Sequence, residues 1–200
     1  PAVRETLDEA SAALDTDIGA LIRTGPKEQL ELTTNTQPVM LTAGIACYRA
    51  WLAETHQAPA IVAGHSLGEY TALVAAGALR LADALPLVRF RAQAMQQAVP
   101  VGVGAMAAIL GLDATAVASG CAQAAREIGE TVQAANFNDP KQTVIAGTKA
   151  AVEKACELLK AAGAKRALPL AVSAPFHSSL MKPAAERLRE RLATTPLEAP

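Results

Sequence analysis

The feature that most constrains the fold is a short apolar segment that runs into a G-x-S-x-G pattern and then into an alanine- and leucine-rich stretch. Residues 59–64 (PAIVAG) are bounded by Pro and Gly and are otherwise apolar, which is typical of a buried parallel strand. Residues 64–68 (GHSLG) follow, and residues 67–79 predict a helix. A serine on so tight a turn needs small residues two positions to either side. The sequence therefore predicts an α/β fold with Ser66 projecting where a strand meets a helix.

The serine pattern is rare enough in this composition to carry weight. Gly accounts for 13 of the 200 residues, and composition alone gives about 0.025 matches to the pattern in a chain of this length. On such a turn the helix directs its N–H groups and its positive dipole end at the reacting centre. The amide of Leu67 would then be one donor of an oxyanion hole. Ser66 is a candidate nucleophile, and the alternative is a tight turn with an idle serine.

A serine nucleophile needs a base, and the chain has three histidines. His56 lies in a polar loop, and His65 sits on the turn itself, where its side chain must point away from the serine. His177 follows the last predicted strand, and a strand end after a crossover is a place from which a base can reach such a turn. His177 is therefore the candidate base, against the alternative of a surface histidine close to a helix start.

The remaining pattern predicts helices and a compact split unit. Residues 2–24 and 39–54 predict helices, the second with Pro38 in its first turn. From residue 105 to residue 170 the pattern is β-α-β-β-α-β, which is typical of a ferredoxin-like unit. The predicted division is a large part of residues 1–101 and 168–200 with an inserted subdomain of residues 102–167. Further helices are expected at residues 82–97 and 183–193.

Charge and composition exclude several classes of protein. The net charge is −1 and aromatic residues make up 3%, which argues against a nucleic-acid binder or an anionic-membrane binder. The three cysteines are too scattered for a disulfide framework or a cysteine-rich metal site. Cys47 and Cys156 lie in apolar helical patterns and are expected in the core. No signal segment or membrane-length apolar run is seen, so a reduced cytoplasmic setting is expected.

Several motifs together resemble one family. They occur, in chain order, at residues 36–38 (TQP), 64–70 (GHSLGEY), 91–96 (RAQAMQ), 135–138 (ANFN), 144–147 (VIAG) and 174–178 (APFHS). In this set the chain resembles the malonyl-CoA:acyl carrier protein transacylases of bacterial fatty acid synthesis, which are related to the acyltransferase domains of polyketide synthases. The resemblance implies an α/β-hydrolase-like large domain with an inserted ferredoxin-like subdomain. It also implies that a first strand with an oxyanion loop, and a later glutamine-bearing segment, lie outside residues 1–200.

The resemblance assigns roles to individual residues. Ser66 matches the nucleophile, His177 the base and Arg91 the arginine that binds the substrate carboxylate, with the Leu67 amide in the oxyanion hole. From the residues alone, a surface helix arginine is the favoured interpretation of Arg91, as it is of Arg89 in the same helix. Other residues expected to line the site are His65, Asn136, Asn138, Phe176 and Gln37. Both asparagines equally suit the turn of a hairpin.

The expected activity is transfer of a malonyl group from a coenzyme A thioester to the phosphopantetheine thiol of acyl carrier protein, through a malonyl-serine intermediate. No metal or redox cofactor is implied. One alternative is a serine esterase or thioesterase, which needs a carboxylate behind its histidine, and Asp139 is the only tempting one. A second alternative is a fragment that docks a carrier protein without catalysis. In the related domains a bulky aromatic at the position of Phe176 accompanies malonyl rather than methylmalonyl.

Overall fold

A computed structural model describes residues 1–172 and 174–200 of the chain. These residues form a mixed α/β structure with one small antiparallel sheet. They fall into two compact units, the first made of Pro1–Gln93 with Leu188–Pro200 and the second of Ala94–Arg187. Each unit has its own hydrophobic core.

The elements follow one another in chain order. The helices are α1 Ala2–Leu14, α2 Ile18–Thr24, α3 Lys27–Glu31, α4 Thr33–Thr55, α5 Gly68–Ala75, α6 Leu81–Gln97, α7 Ala114–Ile128, α8 Lys149–Ala161 and α9 Lys182–Ala193. The strands are β1 Gly104–Leu110, β2 Val132–Asp139, β3 Gln142–Thr148 and β4 Arg166–Pro169. A single 3-10 turn, Ser179–Met181, precedes α9.

The first unit is helical among its described residues, and its core lies where α1, α4, α5 and α6 meet. Leu41 and Ile45 of α4 and Leu85 and Val88 of α6 are fully buried in it. Tyr70 of α5 belongs to the same cluster. Burial of several large aliphatic side chains is the main stabilising contribution in such a core, at about 1.5–3 kcal/mol for each. This core fixes the positions of α4, α5 and α6, which carry the residues of interest.

Two helix predictions in this unit need correction. The single helix expected over residues 2–24 is two helices, because Asp15 adopts a left-handed conformation with φ of 47° and Asp17 starts a new helix by accepting from the Ala20 amide at 2.7 Å. Pro38 lies inside α4 rather than in its first turn. The helix starts earlier than expected, at Thr33, where the Asn35 and Thr36 amides each donate to the Leu32 carbonyl at 2.8 Å.

The strand expected at residues 59–64 is also wrong. Among the described residues this segment pairs with no strand, and Ile61 is 86% exposed. A strand needs a hydrogen-bonded neighbour, and the one sheet of the described residues is formed by β1 to β4 alone. The helix that follows the segment is present as α5, as the sequence predicts.

The second unit contains the sheet, with strand order β2-β3-β1-β4 and antiparallel pairing throughout. The predicted β-α-β-β-α-β order of elements is present, and it runs from residue 104 to residue 169 where residues 105 to 170 were expected. Ile109 and Ile145 point into a core with Val117 of α7 and Leu159 of α8. The two helices approach closely at Gly120, where a Cβ would lie 2.5 Å from the Leu159 side chain. The local periodicity of this region was therefore sufficient to predict the order of its strands and helices.

The cysteines divide between core and surface. Cys121 is buried on α7, and burial raises its pKa to about 12, so it stays a neutral thiol. Cys156 is half-buried on α8. The expectation that Cys47 lies in the core is wrong, since it is exposed on α4. The apolar pattern of α4 runs around most of the helix, so it does not identify the buried face. No helix among the described residues is long and apolar enough to cross a membrane.

A buried hydroxyl in the sheet gives a stability prediction. Thr143 of β3 is fully buried, and its Oγ1 makes no hydrogen bond with any residue that the structure describes. We expect Thr143→Val to raise the free energy of unfolding by about 1–2 kcal/mol, because it removes an unsatisfied polar group. The matched control is Thr42→Val: Thr42 is equally buried but donates to the Pro38 carbonyl at 2.8 Å.

The control should lose about 0.5–1.5 kcal/mol, because a satisfied hydrogen bond is removed. Urea denaturation of both variants measures the two changes. A loss of stability in Thr143→Val equal to that in Thr42→Val would show that the Thr143 hydroxyl is satisfied.

Candidate active site

The G-x-S-x-G segment forms a tight turn that leads directly into α5. Ser66 has a φ of 53°, a left-handed conformation that is uncommon for a residue with a side chain. The Gly68 amide donates to the His65 carbonyl at 2.9 Å, and the Glu69 amide donates to the Ser66 carbonyl at 3.2 Å. The turn therefore presents a half-buried Ser66 side chain at the N-terminal end of a helix, as the sequence predicts. Backbone strain of this kind is concentrated at functional positions.

Only one of the two glycines of the pattern is required by contact. A Cβ on Gly64 would lie 1.9 Å from the Gly68 carbonyl carbon and 2.3 Å from the Glu69 amide nitrogen. A Cβ on Gly68 would meet nothing within 4 Å. The backbone on the two sides of the serine thus packs against itself at Gly64, and no side chain fits between the two segments.

Arg91 of α6 brings two predicted site residues together. Its Nη2 donates to the Ser66 Oγ at 2.9 Å, and its Nη1 donates to the Gln37 Oε1 at 2.5 Å. Arg91 is 8% exposed and Gln37 of α4 is 7% exposed. The interpretation of Arg91 as a surface helix arginine is therefore wrong. Helices α4 and α6 and the turn before α5 each supply one part of this cluster.

Tyr70 completes the surroundings of the guanidinium. The Arg91 Cζ lies 5.6 Å from the centroid of the Tyr70 ring, and Tyr70 is 8% exposed. Burial lowers the pKa of Arg91, while the neighbouring Tyr70 acts in the opposite direction. Sequence reasoning gave Tyr70 no role. The available signal was its spacing, since a residue four positions after Ser66 on the following helix lies close to the turn.

The partners of Arg91 are neutral. Among the described residues its hydrogen-bond acceptors are an amide oxygen and a hydroxyl, and no carboxylate forms an ion pair with it. By contrast, Arg49 in the same unit pairs with Glu9 at 2.7 Å. A buried cation is costly unless an anion compensates it. The cluster is therefore suited to receive an anionic group of a ligand beside the Ser66 hydroxyl.

Arg89 is not the free surface residue that the sequence suggested. It is half-buried, and its Nη1 donates to the Leu14 carbonyl at 3.0 Å at the end of α1. Its Nη2 lies 3.4 Å from the Thr16 Oγ1. A cation at a helix C-terminus interacts favourably with the last carbonyls and the helix dipole. Arg89 and Arg91, two residues apart on α6, thus have different roles: Arg89 binds the end of α1, and Arg91 contacts Ser66.

The second unit carries the other predicted site residues. His177 is exposed and has a φ of 61°, and the loop around it is held by the Ser178 hydroxyl, which donates to the Pro175 carbonyl at 2.8 Å. Phe176 is half-buried and packs against the small apolar clusters that contain Met106 and Met181. The loop is therefore anchored on both sides of the histidine.

The two asparagines lie in β2 and not in the hairpin turn. Asn136 pairs with Val144 of β3, next to a register shift, and Asn138 is exposed near the end of the strand. The turn itself is Pro140 and Lys141, and the Asp139 carboxylate accepts from the Lys141 amide at 2.9 Å. The turn interpretation of the asparagines is therefore wrong, because Asn136 lies within β2 and the strand continues through Asn138 to Asp139. Asp139 has a structural role in the turn.

Comparison with known proteins places these features in a family. A family profile described as the acyl transferase domain matches residues 1–200. The malonyl CoA-acyl carrier protein transacylase of Escherichia coli K12 is 56% identical over 200 residues, which are all of this chain and 64% of that protein. The protein of the same name from Bacillus subtilis is 53% identical over 192 residues, covering 96% of this chain and 60% of its own length.

Solved structures agree. An acyl-carrier-protein S-malonyltransferase from Burkholderia pseudomallei has 68% identity and a TM-score of 0.96, covering all of this chain and 64% of its own. A type II polyketide malonyl-transacylase in complex with its acyl carrier protein has 49% identity and a TM-score of 0.96, with the same coverage. The chain thus spans slightly less than two thirds of the length of these relatives.

The asymmetry of the two glycines can be tested directly. Gly64→Ala should lower the free energy of unfolding by more than about 3 kcal/mol, or displace the turn, because its Cβ overlaps backbone atoms that cannot move independently. The control Gly68→Ala should be neutral or more stable by up to about 1 kcal/mol, since alanine is a better helix former in open space.

Urea denaturation and the rate of Ser66 labelling by a serine-reactive phosphonate measure both effects. Equal effects of the two substitutions would contradict the packing described for this turn.

Proposed function

Because this chain belongs to the acyl transferase domain family, we propose that it carries a malonyl-transfer site. The reaction moves a malonyl group from a coenzyme A thioester to the phosphopantetheine thiol of an acyl carrier protein. The observation that carries the proposal is the buried Arg91 guanidinium, which has neutral partners and lies 2.9 Å from the Ser66 Oγ. A malonyl group is an acyl group with a free carboxylate, so it needs a nucleophile and a cation side by side.

The proposed architecture follows the family resemblance. The large part, residues 1–101 and 168–200, is α/β-hydrolase-like, and residues 102–167 form a ferredoxin-like subdomain. Support for the subdomain comes from its β-α-β-β-α-β order and from the antiparallel strand order β2-β3-β1-β4. Support for the large part comes from the tight serine turn that leads into α5.

In the first half-reaction Ser66 attacks the thioester. His177, assigned by the resemblance of residues 174–178, takes the hydroxyl proton as the Oγ bonds to the malonyl carbonyl carbon. The Leu67 amide donates to the oxyanion that forms, and the helix dipole of α5 favours the negative charge. The carbon–sulfur bond then breaks, and the imidazolium returns its proton to the departing coenzyme A thiolate. The product is a malonyl ester of Ser66.

In the second half-reaction the carrier thiol takes the place of coenzyme A. The same histidine accepts the thiol proton while the sulfur attacks the ester carbonyl, and the proton then passes to the Ser66 oxygen as it leaves. Both steps are acyl exchanges between oxygen and sulfur, so their chemistry requires no metal or redox cofactor. The proposed partners are therefore a coenzyme A thioester and an acyl carrier protein.

Arg91 has two functions in this scheme. Its planar fork binds the malonyl carboxylate through two charge-assisted hydrogen bonds, and this holds the reacting carbonyl in register with Ser66. Gln37 accepts from Nη1 and thus fixes one edge of the fork. His65, Asn136, Asn138 and Phe176 are proposed to line the site, with Phe176 favouring malonyl over methylmalonyl. Arg91 accounts for selection of a carboxylated acyl group.

The alternative functions receive less support. A serine esterase or thioesterase needs a carboxylate to orient its histidine, and Asp139 is engaged in its own turn. An esterase or thioesterase also has no need of a buried cation next to its serine. A carrier-docking protein without catalysis would have no need of a strained serine turn. Transfer of the acyl group to a pantetheine thiol would support the transacylase, whereas release of the free acid would support an esterase or thioesterase.

The nucleophile can be tested by mass. Ser66→Ala should abolish the malonyl adduct formed on incubation with malonyl-CoA, because it removes the Oγ that forms the ester. The free energy of unfolding should change by less than about 1 kcal/mol, since one half-buried oxygen contributes little to packing. Intact-mass spectrometry measures the adduct, and urea denaturation measures stability. An adduct on another residue of the variant would remove Ser66 from its role.

The role of Arg91 can be tested by substrate choice. Arg91→Ala should reduce malonyl transfer relative to acetyl transfer by about ten- to 150-fold, the equivalent of the 1.5–3 kcal/mol that a charge-assisted pair contributes. Arg91→Lys keeps the charge but loses the fork, so it should recover only part of the preference. Arg49→Ala, which breaks a partly exposed ion pair with Glu9, is the control and should not alter the ratio. Equal losses for both acyl groups in Arg91→Ala would make the residue structural.

A further inference from the structure

We propose that Tyr70 is a positioning residue for Arg91: the face of its ring holds the plane of the guanidinium so that the fork meets the malonyl carboxylate. The inference rests on the proposed function and adds a residue to it. Tyr70 does not contact the reacting atoms in this scheme. It acts through the cation, and its effect should therefore appear in the choice between carboxylated and uncarboxylated acyl groups.

The contacts of Arg91 show which part of the guanidinium needs a further partner when a carboxylate binds. Nη1 is held by the Gln37 Oε1 and Nη2 by the Ser66 Oγ, so two edges of the guanidinium have partners. When a carboxylate binds, Nη2 has to exchange the hydroxyl for a carboxylate oxygen. The edge contacts are then partly lost, whereas the contact with the Tyr70 ring at 5.6 Å is not. The ring is the partner that can persist through the exchange.

The interaction is strong enough to matter in this position. A cation over an aromatic face gains about 0.5–1 kcal/mol when exposed and about 2 kcal/mol when water is excluded. Tyr70 and Arg91 are each 8% exposed, so the pair belongs to the second case. Burial raises the pKa of Tyr70, while the neighbouring Arg91 acts in the opposite direction. No carboxylate of the described residues competes for the guanidinium.

The same helix start controls both the nucleophile and the ring. The Tyr70 amide donates to the Leu67 carbonyl at 3.0 Å, and the preceding amide, that of Glu69, donates to the Ser66 carbonyl. Tyr70 is also anchored in the hydrophobic core of the first unit. The position of the cation is thus tied, through Tyr70, to the turn that positions the serine. An arginine held only by edge hydrogen bonds would lack this link.

The direct test varies the ring without changing its shape. Phenylalanine and its mono-, di- and trifluorinated analogues are placed at position 70, and adduct formation is measured with malonyl-CoA and acetyl-CoA. Each fluorine weakens the negative face of the ring, so the malonyl-to-acetyl ratio should fall stepwise along the series. Tyr70→Phe is the reference member of the series, because it keeps the ring face and removes the hydroxyl, which also interacts with the Arg91 guanidinium. A ratio that does not change with fluorination would overturn the proposal.

Substitutions by natural amino acids give a second test of the role of Tyr70. Tyr70→Leu removes the ring face, and the malonyl-to-acetyl ratio should fall about five- to thirtyfold, the equivalent of about 1–2 kcal/mol. The control is Phe90→Leu, which removes the ring beneath Arg191 at 6.0 Å on the same helix as Arg91 and should leave the ratio unchanged. A purely structural Tyr70 would lower both transfers alike and leave the ratio constant, which would overturn the proposal even in a less stable variant.

The measurement on the wild-type protein distinguishes failure of the proposed function from failure of the proposed role of Tyr70. A wild-type protein that forms an acetyl adduct as readily as a malonyl adduct contradicts the proposed function. A wild-type protein that prefers malonyl, together with a flat fluorination series, leaves the proposed function standing and removes Tyr70 from it. Should Tyr70→Leu fail to fold, the fluorinated series still decides, because those side chains are close to isosteric with phenylalanine.

Discussion

The central constraint in this molecule is a buried positive charge with neutral partners. Arg91 is 8% exposed, yet its acceptors are an amide oxygen and a hydroxyl. Taking a guanidinium out of water costs several kcal/mol unless an anion compensates it. A fold retains such an arrangement when the missing anion belongs to a ligand. The position of that cation, within hydrogen-bond distance of a serine on a strained turn, is the observation that supports selection of a carboxylated acyl group in the proposed function.

The arrangement depends on how the first unit is packed. Gly64 lets two backbone segments approach within a distance that excludes any side chain, and this closes the turn that carries Ser66. The turn starts α5, and α5 carries Tyr70 into the core beneath Arg91. Gln37 lies near the N-terminal end of α4. Ser66, Arg91 and Tyr70 are thus linked by direct contacts with the Arg91 guanidinium.

The sequence predicted some parts of this structure better than others. The strands and helices of the second unit follow from local periodicity, whereas the pairing of β1 with β3 and β4 joins residues that lie far apart in the chain. The strand at residues 59–64 was wrong, since pairing is a property of neighbours and apolar composition does not show whether one is present. The break at Asp15 depends on a single left-handed residue. Ser66 was predicted from its pattern, whereas the burial of Arg91 and the place of Tyr70 depend on which helix faces meet.

The most direct test is an experimental structure of the malonyl adduct. The account predicts an ester bond at the Ser66 Oγ, with both oxygens of the free carboxylate about 2.7–2.9 Å from nitrogens of the Arg91 guanidinium. It also predicts that the guanidinium stays over the Tyr70 ring while its Nη2 exchanges the serine oxygen for a carboxylate oxygen. A malonyl ester on Ser66 whose carboxylate points into solvent, or pairs with another cation, would contradict the central claim.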